Sequence, residues 1–503
     1  MRSNRSINIT TGIILLIVLF SSFIVTVLCL IDTQRASGYT LLFLLPLTYS
    51  LSSFILIQRK AYNILFHSIT GLIVLGVYYI RMVISPLAMY LGSYNSVLGN
   101  SLYTSDFSIA IIMVCIEWFV MSFYLPITVS KRLFQNDAIE FSNSEERKNS
   151  LRETKPRQLL WLLVIAMSLF VIYVIRKDQT VLRSTFVFLL DTKKEYVALS
   201  DLRSGIGTLS MFVELLSASF KILQVLLPPM LLWYVIRSKM NNSIKYLITF
   251  VVFCFVSTIG TENRIDAIFA GLALLLTVKA AFGESFRGSF KWWLIGIMVV
   301  GIVGLSLKTG VGSNTSYGGG YDFESISSMI LAYFSGIPAV AAGINMVHSI
   351  TGANILHLVP DILNRIPFMG YVLNLLFGIS LTDSNQLFNQ FISSNWGRNY
   401  GQILPTTAVG YEYLFFLFPV VPCIMVNLAT RLEQKAKTQK DIVRTNLFNW
   451  ITICVAASPV VASSLLMVNK ISWFIIIWII LWLFDKRTMS RKCLQQERGN
   501  RNG

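Results

Sequence analysis

The chain has 503 residues, 54% of them hydrophobic and only 13% charged. Soluble globular domains carry roughly 25% charged residues, so this composition excludes a soluble protein over most of the length and points to an all-α polytopic membrane protein. The net charge of +17 then reads as a topology signal and not as a nucleic-acid footprint, and no nucleic-acid partner is expected.

Apolar runs of about 20 residues cross a bilayer as helix. On that rule about 12 transmembrane helices are expected, near 9–31, 38–57, 62–80, 107–127, 158–175, 213–236, 246–260, 265–282, 292–307, 408–430, 446–467 and 471–484. The first run is too long for a signal h-region and is kept as a span. Six scattered cysteines form no CxxC pair, so neither a disulfide framework nor a structural metal is indicated.

With a cytoplasmic N-terminus, most Lys and Arg residues fall on inner segments: Arg59 and Lys60, Lys131 and Arg132, the 147–157 cluster, Lys435 to Arg444 and the basic tail from Lys486. Both termini are therefore expected in the cytoplasm. The predicted organisation is helices 1–9 over 1–307, a large extracytoplasmic loop over 308–407, helices 10–12 over 408–485 and a cytoplasmic tail over 486–503. Within the loop 325–347 is apolar enough to span. A crossing there would leave a cytoplasmic segment almost without positive charge, so amphipathic or re-entrant helices against the outer face are expected instead. The glycine-rich 310–322 stretch reads as irregular chain.

Candidate site residues follow in chain order. Lys221 lies inside an apolar run with Glu214 and Ser217 at three-then-four spacing, hence on one helical face; ionisable groups inside spans are functional candidates, with a same-face structural pair as the alternative. Arg264, between Glu262 and Asp266 in GTENRIDAIFAG, is either a turn-closing ion pair or an anion contact. His348 and His357 lie in the loop with Asp361 and Arg365. His357, Asp361 and Arg365 recur every four residues, as on one helical face, but Pro360 is expected to interrupt that helix. This ligand set is too small for zinc, and no cofactor is expected.

The stretch NWGRNYGQILPTTAVGYEYLFF, 395–416, supplies Asn395, Arg398 and Asn399 and then Tyr411 and Glu412 at the mouth of the tenth span. The Arg398 guanidinium suits phosphate; Asn395, Asn399 and Gln402 suit sugar hydroxyls. Glu412 is either a general base or a carboxylate favoured by the helix N-terminus. No P-loop, GxGxxG, DxD or GxSxG motif is present, so no nucleotide substrate is indicated.

The arginine-broken span pair GTENRIDAIFAGLALLL, the long loop and P-T-T-x-x-G-Y-E-Y-L-F-F together resemble the bacterial O-antigen and capsular polysaccharide polymerases of the Wzy type. Arg264 matches the arginine of that family's first segment; Pro405, Thr406, Gly410, Glu412 and Tyr413 approximate the second. The sequence departs from the pattern at Tyr411, which separates Gly410 from Glu412, and in lacking a glycine after the aromatic run. The resemblance implies a C-type glycosyltransferase-like fold in the cytoplasmic membrane and block transfer of glycan between undecaprenyl-pyrophosphate-linked repeat units. Together with the residue readings above, Glu412, Arg398 and Arg264 are expected as catalytic residues, and Asn395, Asn399, Tyr411, Arg365, His348, His357 and Lys221 as substrate contacts. The expected partners are the lipid-linked oligosaccharide, the bilayer, and a chain-length regulator and flippase of the same pathway. The competing readings are a lipid-linked oligosaccharide flippase, against which the lack of an internal repeat counts, and a ligase-like glycosyltransferase.

Overall fold

The computed structural model describes residues 9–483 except 33–36, 60, 93, 95–103, 157, 178–207, 259–263, 284–292, 294–326, 328–329, 332, 379–380, 397–402, 462–464 and 466. The described residues are helical, with no strand among them. Four helices are long and apolar enough to cross a membrane: Gly12–Ile31, Ile69–Leu91, Thr104–Lys131 and Ala218–Arg237. Three sharply bent pairs raise the number to seven if each is one span, and shorter apolar helices such as Leu44–Gln58 and Ile442–Ala457 fall on further predicted spans.

The chain divides into two compact units that do not follow the linear division expected from the sequence. One comprises Met1–Ile139, Lys308–Gln434 and Thr452–Val468; the other comprises Glu140–Leu307, Lys435–Ile451 and Asn469–Gly503. The predicted loop therefore belongs to the first unit together with the early spans.

In that first unit the predicted loop does more than cover one end of the helices. Ser327 packs against Gly92, just past the end of the Ile69–Leu91 span. Ser335 is level with the middle of the same span, because its carbonyl accepts from Arg81 Nε at 3.2 Å. Arg81 is 12 residues, or about 18 Å of helix, beyond Ile69. Asn345 then donates to Asp106 at 2.8 Å, at the start of the Thr104–Lys131 span. The segment thus dips to mid-span and returns to the end it came from.

The turn has a local cause. Ser335 takes a left-handed φ of 46°, Gly336 N donates to Leu331 O at 2.9 Å, and Pro338 sits in the first turn of the Ile337–Met346 helix. A left-handed residue that closes one helix, followed by a proline in the first turn of the next, reverses the chain. It places a chain reversal inside the apolar 325–347 stretch.

The predicted tenth span, 408–430, is likewise not one helix. Thr406–Leu417 and Val420–Thr438 meet at a bend of 113°. Phe415 adopts a positive φ of 51°, which breaks the helix there. Gly410 makes the reversal possible, since a Cβ there would lie 2.7 Å from the Phe418 carbonyl. The second arm ends at the opposite end of the Ile69–Leu91 span. There Glu433 accepts from Ser68 Oγ at 2.7 Å and from the amides of Ile69 and Thr70, each at 3.0 Å, as a carboxylate cap on the helix N-terminus.

The two arms that turn outward pack on each other through small residues: Gly343 meets Ala408 and Leu404. Ala342, Met346, Phe388, Ile392, Val409 and Leu465 complete their apolar core. This packing holds the Thr406–Leu414 helix still and carries Glu412 roughly 8 Å outward from Thr407.

Two charged residues anchor both arms at mid-span. Arg81 Nη1 donates to Glu117 Oε1 at 3.0 Å, Arg81 Nη2 to Thr407 Oγ1 at 2.9 Å, and Thr407 Oγ1 to Glu117 Oε2 at 2.6 Å. Tyr78 donates to Glu117 Oε1 at 2.6 Å. Arg81 and Glu117 are buried. A charge at that depth is tolerated only with such complete partnering. Arg81 sits on a π-helical turn, Ile80–Ile84, a distortion common at functional positions.

Candidate active site

Three segments of the first unit converge on Glu412. The Thr406–Leu414 helix brings Glu412 and Tyr413, the Ile355–His357 turn with the Leu358–Arg365 helix brings His357, Asp361 and Arg365, and the Ser384–Trp396 helix brings its N-terminus. Pro360 does not interrupt the His357 segment as expected. It occupies the third position of the helix, where its missing N–H has no intrahelical acceptor to lose. His357, Asp361 and Arg365 therefore face the same neighbours.

The expected favourable helix N-terminus for Glu412 is also corrected. Glu412 lies two residues before the end of its short helix, where the dipole opposes a carboxylate. Its environment is set by side chains. Glu412 is fully buried; Oε1 lies 2.9 Å from His357 Nδ1 and 2.9 Å from Ser384 Oγ. Oε2 is buried with no hydrogen-bond partner. His357 is 31% exposed, so the ring has one nitrogen on the buried carboxylate while its body reaches the surface.

Asp361, also fully buried, accepts from Ser384 N at 2.6 Å, lies 2.7 Å from Ser384 Oγ and receives the Tyr413 hydroxyl. Next to it, Asp383 Oδ1 accepts from Gln386 N at 2.8 Å while Gln386 Oε1 accepts from Asp383 N at 3.1 Å. This reciprocal pair is a capping box that starts the Ser384–Trp396 helix and fixes Ser384 as its first residue. Arg365 Nη2 contacts both Asp383 oxygens, at 2.9 and 2.8 Å, and Asn364 Nδ2 donates to Asp383 at 3.0 Å. Arg365, expected to contact substrate, is thus engaged in holding the cap.

His348 pairs with Tyr411 at 2.8 Å between Nε2 and the phenol oxygen, with the rings edge to face. His348 is exposed and Tyr411 half-buried. These two expected substrate contacts stand on the same two arms as the Glu412 cluster.

The described residues do not place the remaining expected residues in or out of this cluster. Arg398 and Asn399 lie outside the described residues, and Asn395, at the end of the Ser384–Trp396 helix, has no described side chain. Arg264 begins the Arg264–Phe282 helix in the second unit, its side chain likewise outside the description. Lys221, also in the second unit, donates to Asn469 Oδ1 at 3.2 Å and lies 5.7 Å over the Trp473 ring; its expected neighbours Glu214 and Ser217 have no described side chains. In the same unit, Asp266 pairs with Lys470.

Sequence reading missed Ser384, Asp383, Arg81 and Glu117. The first two were detectable, because Asp383-Ser384-Asn385-Gln386 carries the Asp-x-x-Gln capping signature. Arg81 and Glu117 are ionisable residues inside apolar spans, a signal in their own right; ending the third span at residue 80 hid the arginine. Among the described residues, no group of three or more His, Cys, Asp or Glu side chains is arranged to hold a metal.

The class of protein defined by the described residues is an apolar helical protein in which part-exposed His357 stands on the buried carboxylate of Glu412. Comparison with protein-family models, with curated proteins and with solved structures gave no match.

Proposed function

We propose that this chain is a membrane glycosyltransferase that polymerises undecaprenyl-pyrophosphate-linked oligosaccharide repeat units on the outer face of the bacterial cytoplasmic membrane. The observation that carries this reading is the pairing of part-exposed His357, through Nδ1, with fully buried Glu412. A histidine whose Nδ1–H is held by a buried carboxylate has its tautomer and orientation fixed and presents Nε2 as a base.

In the proposed reaction an acceptor sugar hydroxyl attacks the anomeric carbon that joins the growing glycan to its lipid. The hydroxyl proton passes to His357 Nε2, the new glycosidic C–O bond forms, and the bond from the anomeric carbon to pyrophosphate oxygen breaks. Its electron pair leaves with undecaprenyl pyrophosphate. Glu412 stabilises the imidazolium, and the His348–Tyr411 pair offers polar and ring surfaces to a sugar. Arg398 is assigned to the leaving pyrophosphate on guanidinium chemistry, and Arg264 stays a candidate anion contact on the family resemblance.

The decisive experiment gives purified protein in a bilayer a labelled lipid-linked repeat unit. Lengthened glycan supports a polymerase. Transfer of finished glycan to a different acceptor supports the ligase reading, and movement across the bilayer without a new bond supports a flippase. The proposed topology of 12 spans, with 308–407 outside and both termini inside, rests on the basic-residue asymmetry. An impermeant thiol reagent added from outside is expected to label a cysteine introduced at Ser316 and to spare native Cys493; protection at 316 would overturn it.

A further inference from the structure

The Glu412 cluster contains an imbalance between hydrogen-bond contacts and protons. Ser384 Oγ lies 2.7 Å from Asp361 Oδ2 and 2.9 Å from Glu412 Oε1. A serine hydroxyl has one proton and can donate to only one of them. If both carboxyls were ionised, the other contact would set two oxygen lone pairs against each other in a site where both carboxyls are fully buried. Two like charges bridged by one hydroxyl also oppose each other's ionisation.

We infer that Asp361 and Glu412 hold one proton between them, shared through Ser384 Oγ, and that Asp361 and Ser384 are positioning residues for the His357–Glu412 pair. The donors indicate where the proton rests. Asp361 receives the Ser384 amide at the N-terminus of the Ser384–Trp396 helix and the Tyr413 hydroxyl, so it is the better seat for negative charge. Glu412 has an oxygen, Oε2, that is buried without a partner, which costs a neutral acid less than a carboxylate.

In the resting arrangement Glu412 donates its proton to Ser384 Oγ and Ser384 donates to Asp361. Reversing both bonds places the proton on Asp361, with Ser384 donating to Glu412. Glu412 is then a carboxylate accepting from both Ser384 and His357. No proton enters or leaves the cluster in this exchange. The other charged and titratable groups around it are the Arg365–Asp383 pair on the cap, Tyr413, and the His348–Tyr411 pair. That the exchange accompanies charging of His357 rests on the glycosyl-transfer reading; the shared proton does not.

The test is infrared difference spectroscopy of the full chain in lipid nanodiscs at neutral pH. A protonated-carboxyl C=O band is expected in wild type and expected to disappear in both Glu412→Gln and Asp361→Asn. In Asp361→Asn the amide supplies the missing proton to Ser384, which then donates to an ionised Glu412. Loss in only one variant would mean a proton fixed on one carboxyl and would overturn the sharing. Absence of any such band in wild type would overturn it without reference to the variants, should either fail to fold. A chain that shows both losses but never lengthens glycan retires the glycosyl-transfer reading and leaves the shared proton standing. Active wild type without the band does the reverse.

Discussion

His357→Ala is expected to lower glycan lengthening by about 10²–10⁴-fold, the usual range for removal of a general base, while the amount of folded protein stays normal. His357 is part-exposed, and its ring contacts Glu412 through Nδ1. Glu412→Gln removes the charge that stabilises the imidazolium, so kcat should fall with KM little changed. If Glu412 were itself the base and His357 only a sugar contact, His357→Ala would raise KM and spare kcat. Steady-state rates on a lipid-linked repeat, read beside protein abundance, separate the two. Full-length glycan from both variants would remove the pair from the site.

The second large effect is on stability. Arg81→Met leaves Glu117 fully buried at mid-span without its cation, and breaking a buried pair by removing one partner costs about 3–5 kcal/mol. Glu117→Met strands Arg81 in the same way. Each single variant is expected to unfold at a much lower temperature in detergent, or to fail to accumulate. The double variant Arg81→Met with Glu117→Met removes both charges and should recover most of that loss. Because Arg81 also holds Ser335 and Thr407, the recovered double variant should still be impaired in activity: both re-entrant arms lose their anchor below Glu412. Melting temperatures that do not differ between the single and double variants would show that the pair is not the anchor described.

Much of the cluster was foreshadowed by residue type. Two histidines, an aspartate and an arginine in an otherwise apolar loop marked 348–367, and Glu412 at the edge of an apolar run marked the other half. Their roles shifted on contact. Arg365 gained a role as a cap support, because Asp383 sits within its reach. Pro360 moved from a helix breaker to a first-turn residue, because the helix begins just before it.

The sequence by itself determined that this is a helical membrane protein and where most apolar helices lie. Hydropathy is a sum over neighbouring residues, and a helix satisfies its own backbone within one segment. Only the tertiary structure decided where the chain reverses near 335 and at 415–419 and what those reversals pack against. Those reversals depend on Gly410 passing beside the Phe418 carbonyl, on Phe415 at positive φ, and on Arg81 reaching Ser335 and Thr407 across more than 250 residues of chain. The pairing of His357 with Glu412, 55 residues apart, is of the same kind. Local periodicity places each residue on its helix, but which helices touch is set by packing among segments that no sequence window contains.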